Sequence, residues 1–274
     1  IINLVSSNYI TISDPDGDSA FSIETDEGSN YSLNDNTITP NLNFYGELNV
    51  PIIVNDGFIF DGEFYNSISE TAWLVIDVLG VNDAPSLFVP TEVTVDEDSN
   101  DIISGISVDD VDIDTDLDED SFFSEFLFEI YTLNGDISLG DNLIESSNYI
   151  IGNGQNDDTL IFKSSISNFN TAISSLIFHP KEDYFGPDGE VKIIVNDLGN
   201  FVSPPANDPD SLIDIQIIPI TVLSVNDAPI LSLPSTQFTD EDTEKSISGI
   251  FISDIDIEDG IMEMEIDAGN SIVE

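Results

Sequence analysis

Short runs of β-branched and aromatic residues, turn residues at their ends, and a motif returning at domain-length spacing predict an all-β chain of antiparallel sandwiches joined end to end. The strand runs are Tyr9 to Ser13, Val50 to Val54, Ala72 to Val78, Val191 to Val195 and Ile213 to Val222, bounded by Asn, Asp, Gly and Pro. Val81-Asn82-Asp83-Ala84-Pro85 returns as Val225-Asn226-Asp227-Ala228-Pro229, with residues 81 and 225 lying 144 positions apart. Asp96-Glu97-Asp98, Ser104-Gly105-Ile106 and Asp110-x-Asp112 return in the same register as Asp240-Glu241-Asp242, Ser248-Gly249-Ile250 and Asp254-x-Asp256. A period this long is the size of a whole domain rather than a solenoid turn, so each copy buries its own core.

The punctuation gives the expected boundaries. Pro85 and Pro229 fix φ just after each Asn-Asp pair, which makes each pair a stiff entry into the next strand and a domain junction. The expected units are 1–83, 84–227 and 228–274. The chain has no initiator Met, opens inside a strand-like run and stops partway through a repeat, which reads as a piece of a longer protein.

The middle unit is enlarged. Asp14 to Asn55 spans 41 positions and Asp110 to Asn196 spans 86, so about 45 residues are extra, and their apolar content predicts added strands. One short helix is expected over Ser165 to Ile173, where Ser or Asn can cap and Ile166, Phe169 and Ile173 recur at spacings of three and four. Asn134-Gly135 between Leu133 and Ile137 is a two-residue hairpin signal. Phe44-Tyr45-Gly46 and Tyr184-Phe185-Gly186 each follow a proline by the same interval, and these paired aromatics are expected to plug the sandwich ends.

Charge bounds the partners. The 274 residues carry 55 acidic and 4 basic side chains, a formal charge of -51. Nucleic acid and anionic membranes are excluded as partners, because nothing here neutralises phosphate. With 40% hydrophobic residues the chain is too apolar for a disordered acidic tail, and no run of about 18 apolar residues spans a bilayer. Zero cysteines leave packing and oxygen-ligated hard cations as the available sources of stability.

The acids cluster at the repeat-defining positions, including Asp14, Asp16, Asp83, Glu97, Asp110, Asp112, Asp197, Asp227, Asp254 and Asp256. Alternating Asp-x-Asp in an extended segment would project carboxylates on one face. Four carboxylates about 5 Å apart repel by roughly 3 kcal/mol per pair at an effective dielectric near 20, about 20 kcal/mol in all. A domain's stability does not absorb that, whereas Ca²⁺ with six to eight oxygen ligands does. No EF-hand loop is present, so the ligands must converge from separated loops.

Val-Asn-Asp-Ala-Pro, Asp-Glu-Asp, Ser-Gly-Ile, Asp-x-Asp and Val-Asn-Asp-x-Gly, in this order, resemble the cadherin-like tandem repeats of giant bacterial surface proteins and secreted adhesins. The middle copy is similar to their longer form through Leu133 to Leu139, Gly152-Asn153-Gly154, Phe169 to Ile173 and Pro180 to Gly186. The resemblance implies immunoglobulin- or cadherin-like sandwiches with Ca²⁺ between consecutive units, at the cell surface or secreted. It implies a first site from Asn82, Asp83, Asp110, Asp112 and Asp197. A second would use Glu97, Asn226, Asp227, Asp254 and Asp256, and Asp14, Asp16 and Asp56 are the matching acids of the first unit. Gly80 and Ser224 stand where animal cadherins place a linker acid.

Enzymatic function is not expected. The single His179 precedes a proline beside an apolar strand, where a packed or hydrogen-bonded role is expected, and no nucleophile elbow is present. Two noncatalytic readings stand: a Ca²⁺-rigidified stalk that projects a binding region, and repeats that themselves bind a cell-surface polysaccharide or other copies in a filament. Tyr131, Tyr149 and Trp73 are the aromatic candidates for sugar contact, each expected in the core.

Overall fold

The computed structural model describes residues 2–3, 10–13, 21–35, 37–55, 58–60, 63–65, 68–113, 125–140, 144–199, 211–257 and 260–267. The architecture is all-β with one α-helix among these residues.

The first eight strands are β1 (Ile2–Asn3), β2 (Ser22–Glu24), β3 (Tyr31–Asn34), β4 (Thr37–Pro40), β5 (Gly46–Asn55), β6 (Phe58–Phe60), β7 (Glu63–Tyr65) and β8 (Ala72–Val78). They form the sheets β1-β4-β3 and β2-β5-β8, with β6-β7 as a separate hairpin. One face of each larger sheet is apolar at period two. Tyr31 and Ile38 from one sheet meet Leu48, Val50 and Ile52 from the other, and Leu74, Ile76 and Val78 of β8 pack against them.

A second, larger sandwich follows. Its strands are β9 (Ser86–Phe88), β10 (Val93–Asp96), β11 (Asp101–Ile103), β12 (Ser107–Asp109), β13 (Phe126–Leu133), β14 (Gly135–Ser138), β15 (Tyr149–Ile151), β16 (Thr159–Ser164), β17 (Leu176–Pro180), β18 (Gly186–Asn196) and β19 (Ile213–Leu223). The main sheet runs β10-β19-β18-β13-β16-β15, parallel only between β10 and β19, and it faces the sheet β11-β17-β14. The pairings of the first sandwich reappear here: β2-β5-β8 corresponds to β13-β18-β19, and β1-β4-β3 to β11-β17-β14. The extra residues supply β15, β16 and the helix, which widen the main sheet beyond β13 and cap the enlarged core.

That helix, α1 (Ile166–Ile173), starts where expected: the Ser165 hydroxyl accepts the Asn168 N–H at 3.2 Å. Phe169, Ala172 and Ile173 face inward, and the Phe169 ring stacks on Phe128 of β13 at 3.9 Å between centroids. On its flank Asn170 acts as a piece of strand: its side-chain carbonyl accepts from Val108 N and its amide donates to Val108 O. The helix is thereby tied to the edge of β12.

The third unit begins with β20 (Ile230–Ser232) and β21 (Phe251–Ser253), which pair as β9 and β12 do, in the same register 144 residues on. Positive φ also repeats, at Asp98 and Asp242 and at Gly105 and Gly249.

Four expectations are corrected. Asn134-Gly135 is not a hairpin: β13 lies in the main sheet and β14 in the opposite one, so the chain turns a corner between sheets on the single residue Asn134, at φ 59°. Gly135 is required by space, since a Cβ there would lie 2.2 Å from Phe178 Cζ. Ile10 to Ser13 forms no ladder, and Tyr9 lies outside the described residues. Ile10 to Ser13 occupies the place that β12 has before Asp110. Trp73 is 63% exposed, not in the core, because Leu74, Ile76 and Val78 fix the inward parity of β8 and send Trp73 outward with Val75 and Asp77. Tyr131 likewise takes the outer face, where its hydroxyl donates to Glu129, while Tyr149 packs on Phe162 at the core margin.

The paired aromatics are divided. Tyr184 and Phe44 pack against the two cores, whereas Tyr45 is exposed. His179 is hydrogen-bonded as expected, Nε2 to the Ser138 hydroxyl at 3.0 Å and Nδ1 to Asn100 Oδ1 at 2.5 Å.

Candidate metal centre

Asp110-x-Asp112 and Asp254-x-Asp256 are turns, not the extended segments their alternation predicts. The Asp112 N–H donates to Asp110 Oδ1 at 2.9 Å, and the Asp256 N–H to Asp254 Oδ1 at 3.0 Å. An Asp side chain that bonds the backbone two residues on closes such a turn, and this competes successfully with strand geometry. The turn brings the second carboxylate back to the linker. Asp112 Oδ2 accepts the Asp83 N–H at 2.5 Å, and Asp256 Oδ2 accepts the Asp227 N–H at 2.5 Å.

At the first junction Asn82, Asp83, Asp110, Asp112 and Asp197 come together. Asp197, at the end of β18, is fully buried: Oδ1 accepts from the backbone N–H groups of Gly199 and Leu212, both at 2.8 Å, and Oδ2 accepts from Asn82 Nδ2 at 2.7 Å. Asp110 and Asp112 are buried beside it, and Asp110 Oδ2 has no hydrogen-bond partner. Burial pushes the Asp110 carboxyl up to about 6, with the Asp112, Asp197 and Asp109 charges adding to the rise and the Asp112 N–H opposing it. Asp112 is raised for the same reason, by burial first and then by Asp83 and Asp197, against the Asp83 N–H.

The second junction assembles Glu97, Asp227 and Asp256, which each offer one carboxylate oxygen within 4.8 Å of the others. Glu97 stands just past β10 and is 1% exposed; Oε1 accepts the Val225 N–H at 2.7 Å. Its Oε2 has no partner, nor do Asp227 Oδ2 and Asp256 Oδ1. The Asp227 carboxyl is raised by desolvation and then by Asp98, Asp256, Asp183 and Asp254. Asp98 and Asp183 therefore belong to the surroundings of this site and were missed as site residues. Asp183 precedes the aromatic pair in the Pro-to-Gly loop, and that loop's repetition is the signal that marked it.

Asn226 differs from Asn82. It is exposed and its amide donates to Asp227 O at 2.9 Å. Asp254 contributes Oδ1 to its own turn. Asp14, Asp16 and Asp56 lie outside the described residues.

The donor set tests what these groups can hold. Buried, unpartnered anionic oxygens are costly: three converge at the second junction, and Asp110 Oδ2 is one at the first, with no lysine or arginine partner among the described salt bridges. All are carboxylate oxygens, with neither thiolate nor imidazole among them. Hard divalent cations fit such a set, and its mix of loop-borne carboxylates suits the flexible coordination shell of Ca²⁺ better than the tight octahedron of Mg²⁺.

No family model matches this sequence, and no curated protein matches it. Among solved structures the chain is similar to human mucin-like protocadherin EC1-2, at 13% identity and a TM-score of 0.27, over 75% of this chain and 85% of that one. It is also similar to human protocadherin-24 EC1-2, at 13% identity and a TM-score of 0.29, over 78% of this chain and 85% of that one.

Proposed function

We propose that this chain is a stretch of Ca²⁺-rigidified stalk from a large extracellular bacterial adhesin or cell-surface filament, attaching cells by projecting a binding region outward. Its units would be 1–83, 84–227 and 228–274, with Ca²⁺ and the neighbouring repeats as partners. The ligands would be Asn82, Asp83, Asp110, Asp112 and Asp197 at one joint, and Glu97, Asn226, Asp227, Asp254 and Asp256 at the next, with Asp14, Asp16 and Asp56 serving the first unit. One observation carries the reading: the buried, partnerless oxygens of Glu97, Asp227 and Asp256 converge where the middle sandwich, linker and third unit meet. A cation there neutralises charge that each element alone leaves uncompensated, and it links groups on both sides of the linker.

Calorimetric titration with Ca²⁺, combined with small-angle scattering in Ca²⁺ and in chelator, tests this. Saturable binding with a longer, stiffer particle in Ca²⁺ is expected. Absence of binding at millimolar Ca²⁺, or the same extended particle in both conditions, would sink the proposal. The exposure of Trp73 favours a second reading, in which the repeats bind a cell-surface polysaccharide by ring stacking. A glycan array with wild type and Trp73→Ala separates the two, since a pure spacer gives no Trp73-dependent signal.

A further inference from the structure

Beside Ile10 to Ser13 the first sandwich opens into a cleft of about 430 Å³, within the usual size range of binding clefts. Ile10, Ile12, Phe21, Ile52 and Val54 give it an apolar floor, and Glu70 is the single charged side chain on its described wall. Ile10 to Ser13 stands in the β12 place and has no ladder partner among the described residues, so its backbone is a free pairing edge. In the middle sandwich that edge is taken by β9, and in the third unit β20 pairs with β21 in the same register.

The middle sandwich shows what fills this place. There Leu87 of β9 is 5% exposed and sits opposite Val108, and its N–H donates to Asp214 Oδ2 at 2.8 Å. Glu70 stands 144 positions before Asp214, so the first sandwich holds a carboxylate at the same point. Ile12 takes the Val108 place, two residues before Asp14 as Val108 is before Asp110. The cleft thus offers a β9-type strand an edge to pair with, an apolar floor and an acceptor for its N–H.

We propose that this cleft is a strand-acceptor groove, and that a second copy of the chain fills it with residues 228–234, which contain β20. β9 is committed to its own core. Leu231, the counterpart of Leu87, is 54% exposed, because β20 and β21 form a two-stranded sheet of their own. Exchange replaces the β21 ladder by an equal one on Ile10 to Ser13 and buries Leu231 against Ile12, so apolar burial is the net gain. Residues 228–234 read Ala-Pro-Ile-Leu-Ser-Leu-Pro and carry no charge, so the inserted strand sets no acid against Glu70 in a protein at -51. Pro229 and Pro234 bound the strand to the short stretch that Ile10 to Ser13 can pair. Donor and acceptor lie in different units, so the contact is heterologous and adds copies end to end. The groove does not depend on the cation sites.

Sedimentation velocity of the whole 274-residue chain in Ca²⁺, from micromolar to millimolar, reads the assembly. Concentration-dependent oligomers that grow past the dimer are expected. Leu231→Asp should weaken them at least about 30-fold, as loss of a central apolar anchor does, and Glu70→Ala about tenfold, as loss of one charge-assisted hydrogen bond does. Both positions are exposed, so both variants keep the wild-type circular dichroism and melting profile. Ile12→Asp blocks the groove, and mixing it with Leu231→Asp should give heterodimers that grow no further, because each variant keeps one working end. A synthetic peptide of residues 228–234 should cap the wild-type oligomers and lose that effect on Glu70→Ala. A chain monomeric at millimolar concentration overturns the proposal, as do oligomers indifferent to Leu231→Asp or a mixture that grows past two. A monomeric chain that binds the peptide through Glu70 also overturns the second copy as occupant, and gives the groove to a strand of another protein.

Discussion

Asp110→Asn separates the charge of the first junction from its hydrogen bonds. Asn keeps the Oδ1 acceptor that closes the turn on Asp112 N–H and removes the charge from a carboxyl raised from 3.8 to about 6. An acid raised on folding costs stability when ionised: the cost is absent below the unfolded pKa, grows between the two values and is complete above the folded one. At 1.36 kcal/mol per unit the metal-free chain loses about 3 kcal/mol at pH 7.5 and roughly a fifth of that at pH 4, a ceiling that solvent at the edge of the site lowers. In chelator the variant should therefore be more stable than wild type at pH 7.5, and the advantage should fade toward pH 4. In Ca²⁺ the sign reverses, because Asn is a weaker ligand and protons compete with the metal, and affinity at this joint should drop about 30-fold or more. Hydrogen exchange of β13 and β18, which report opening of the middle sandwich alone, measures both arms without assuming a single unfolding transition. Destabilisation in chelator at pH 7.5, or unchanged Ca²⁺ affinity, refutes the reasoning.

Three further predictions rest on single contacts. Glu97→Gln retains the bond to Val225 N through its amide oxygen and removes one of three converging charges, so titration calorimetry should show Ca²⁺ binding at the second joint weakened about 30-fold or more; an unchanged isotherm would remove Glu97 from the site. Gly135→Ala drives a methyl into the Phe178 ring and to 2.8 Å from His179 O, and should cost about 1 to 3 kcal/mol of middle-sandwich stability in denaturant titration. Phe169→Ala should cost about 3 to 5 kcal/mol by deleting a fully buried ring stacked on Phe128, whereas Ser165→Ala, which removes only the helix cap, should cost about 1 kcal/mol. If the two losses come out equal, the helix is held by its cap rather than by the core.

What the sequence disclosed depended on whether a signal was local or relational. Val191 to Val195 and Ala72 to Val78 lie within β18 and β8 because a half-buried strand writes its periodicity into adjacent residues. Ser165 and the Ile166, Phe169, Ile173 spacing identified α1 for the same reason. The junction residues were legible through repetition: the 144-residue register flagged Asp83 with Asp112 and Asp227 with Asp256, and both pairs are bonded. Asn134-Gly135 misled because a turn dipeptide records backbone freedom and not which sheet receives the next strand. Trp73 misled because its parity is set by the facing sheet, although Asp77 on the same side of β8 marked that side as outward. The extended reading of Asp-x-Asp failed because it ignored the side chain's own competition for the backbone two residues on.

That competition bears on how the joints would work. The bonds that shape them, Asp83 to Asp112, Asp227 to Asp256 and Val225 to Glu97, use backbone donors and one oxygen of each carboxylate. The other oxygens of Glu97 and Asp256 remain unpartnered, as does Asp227 Oδ2. The loops are therefore shaped by local chemistry, and little chain ordering remains for a cation to impose. On the proposed reading Ca²⁺ acts chiefly on charge: it turns mutual repulsion between middle sandwich, linker and third unit into shared attraction to one ion. Its removal should then loosen the joints while both sandwich cores, which contain none of these carboxylates, stay folded. Chelator should accordingly change scattering length much more than the hydrogen exchange of β5 or β16, and a parallel loss of both would mean that the cation holds up the sandwiches themselves.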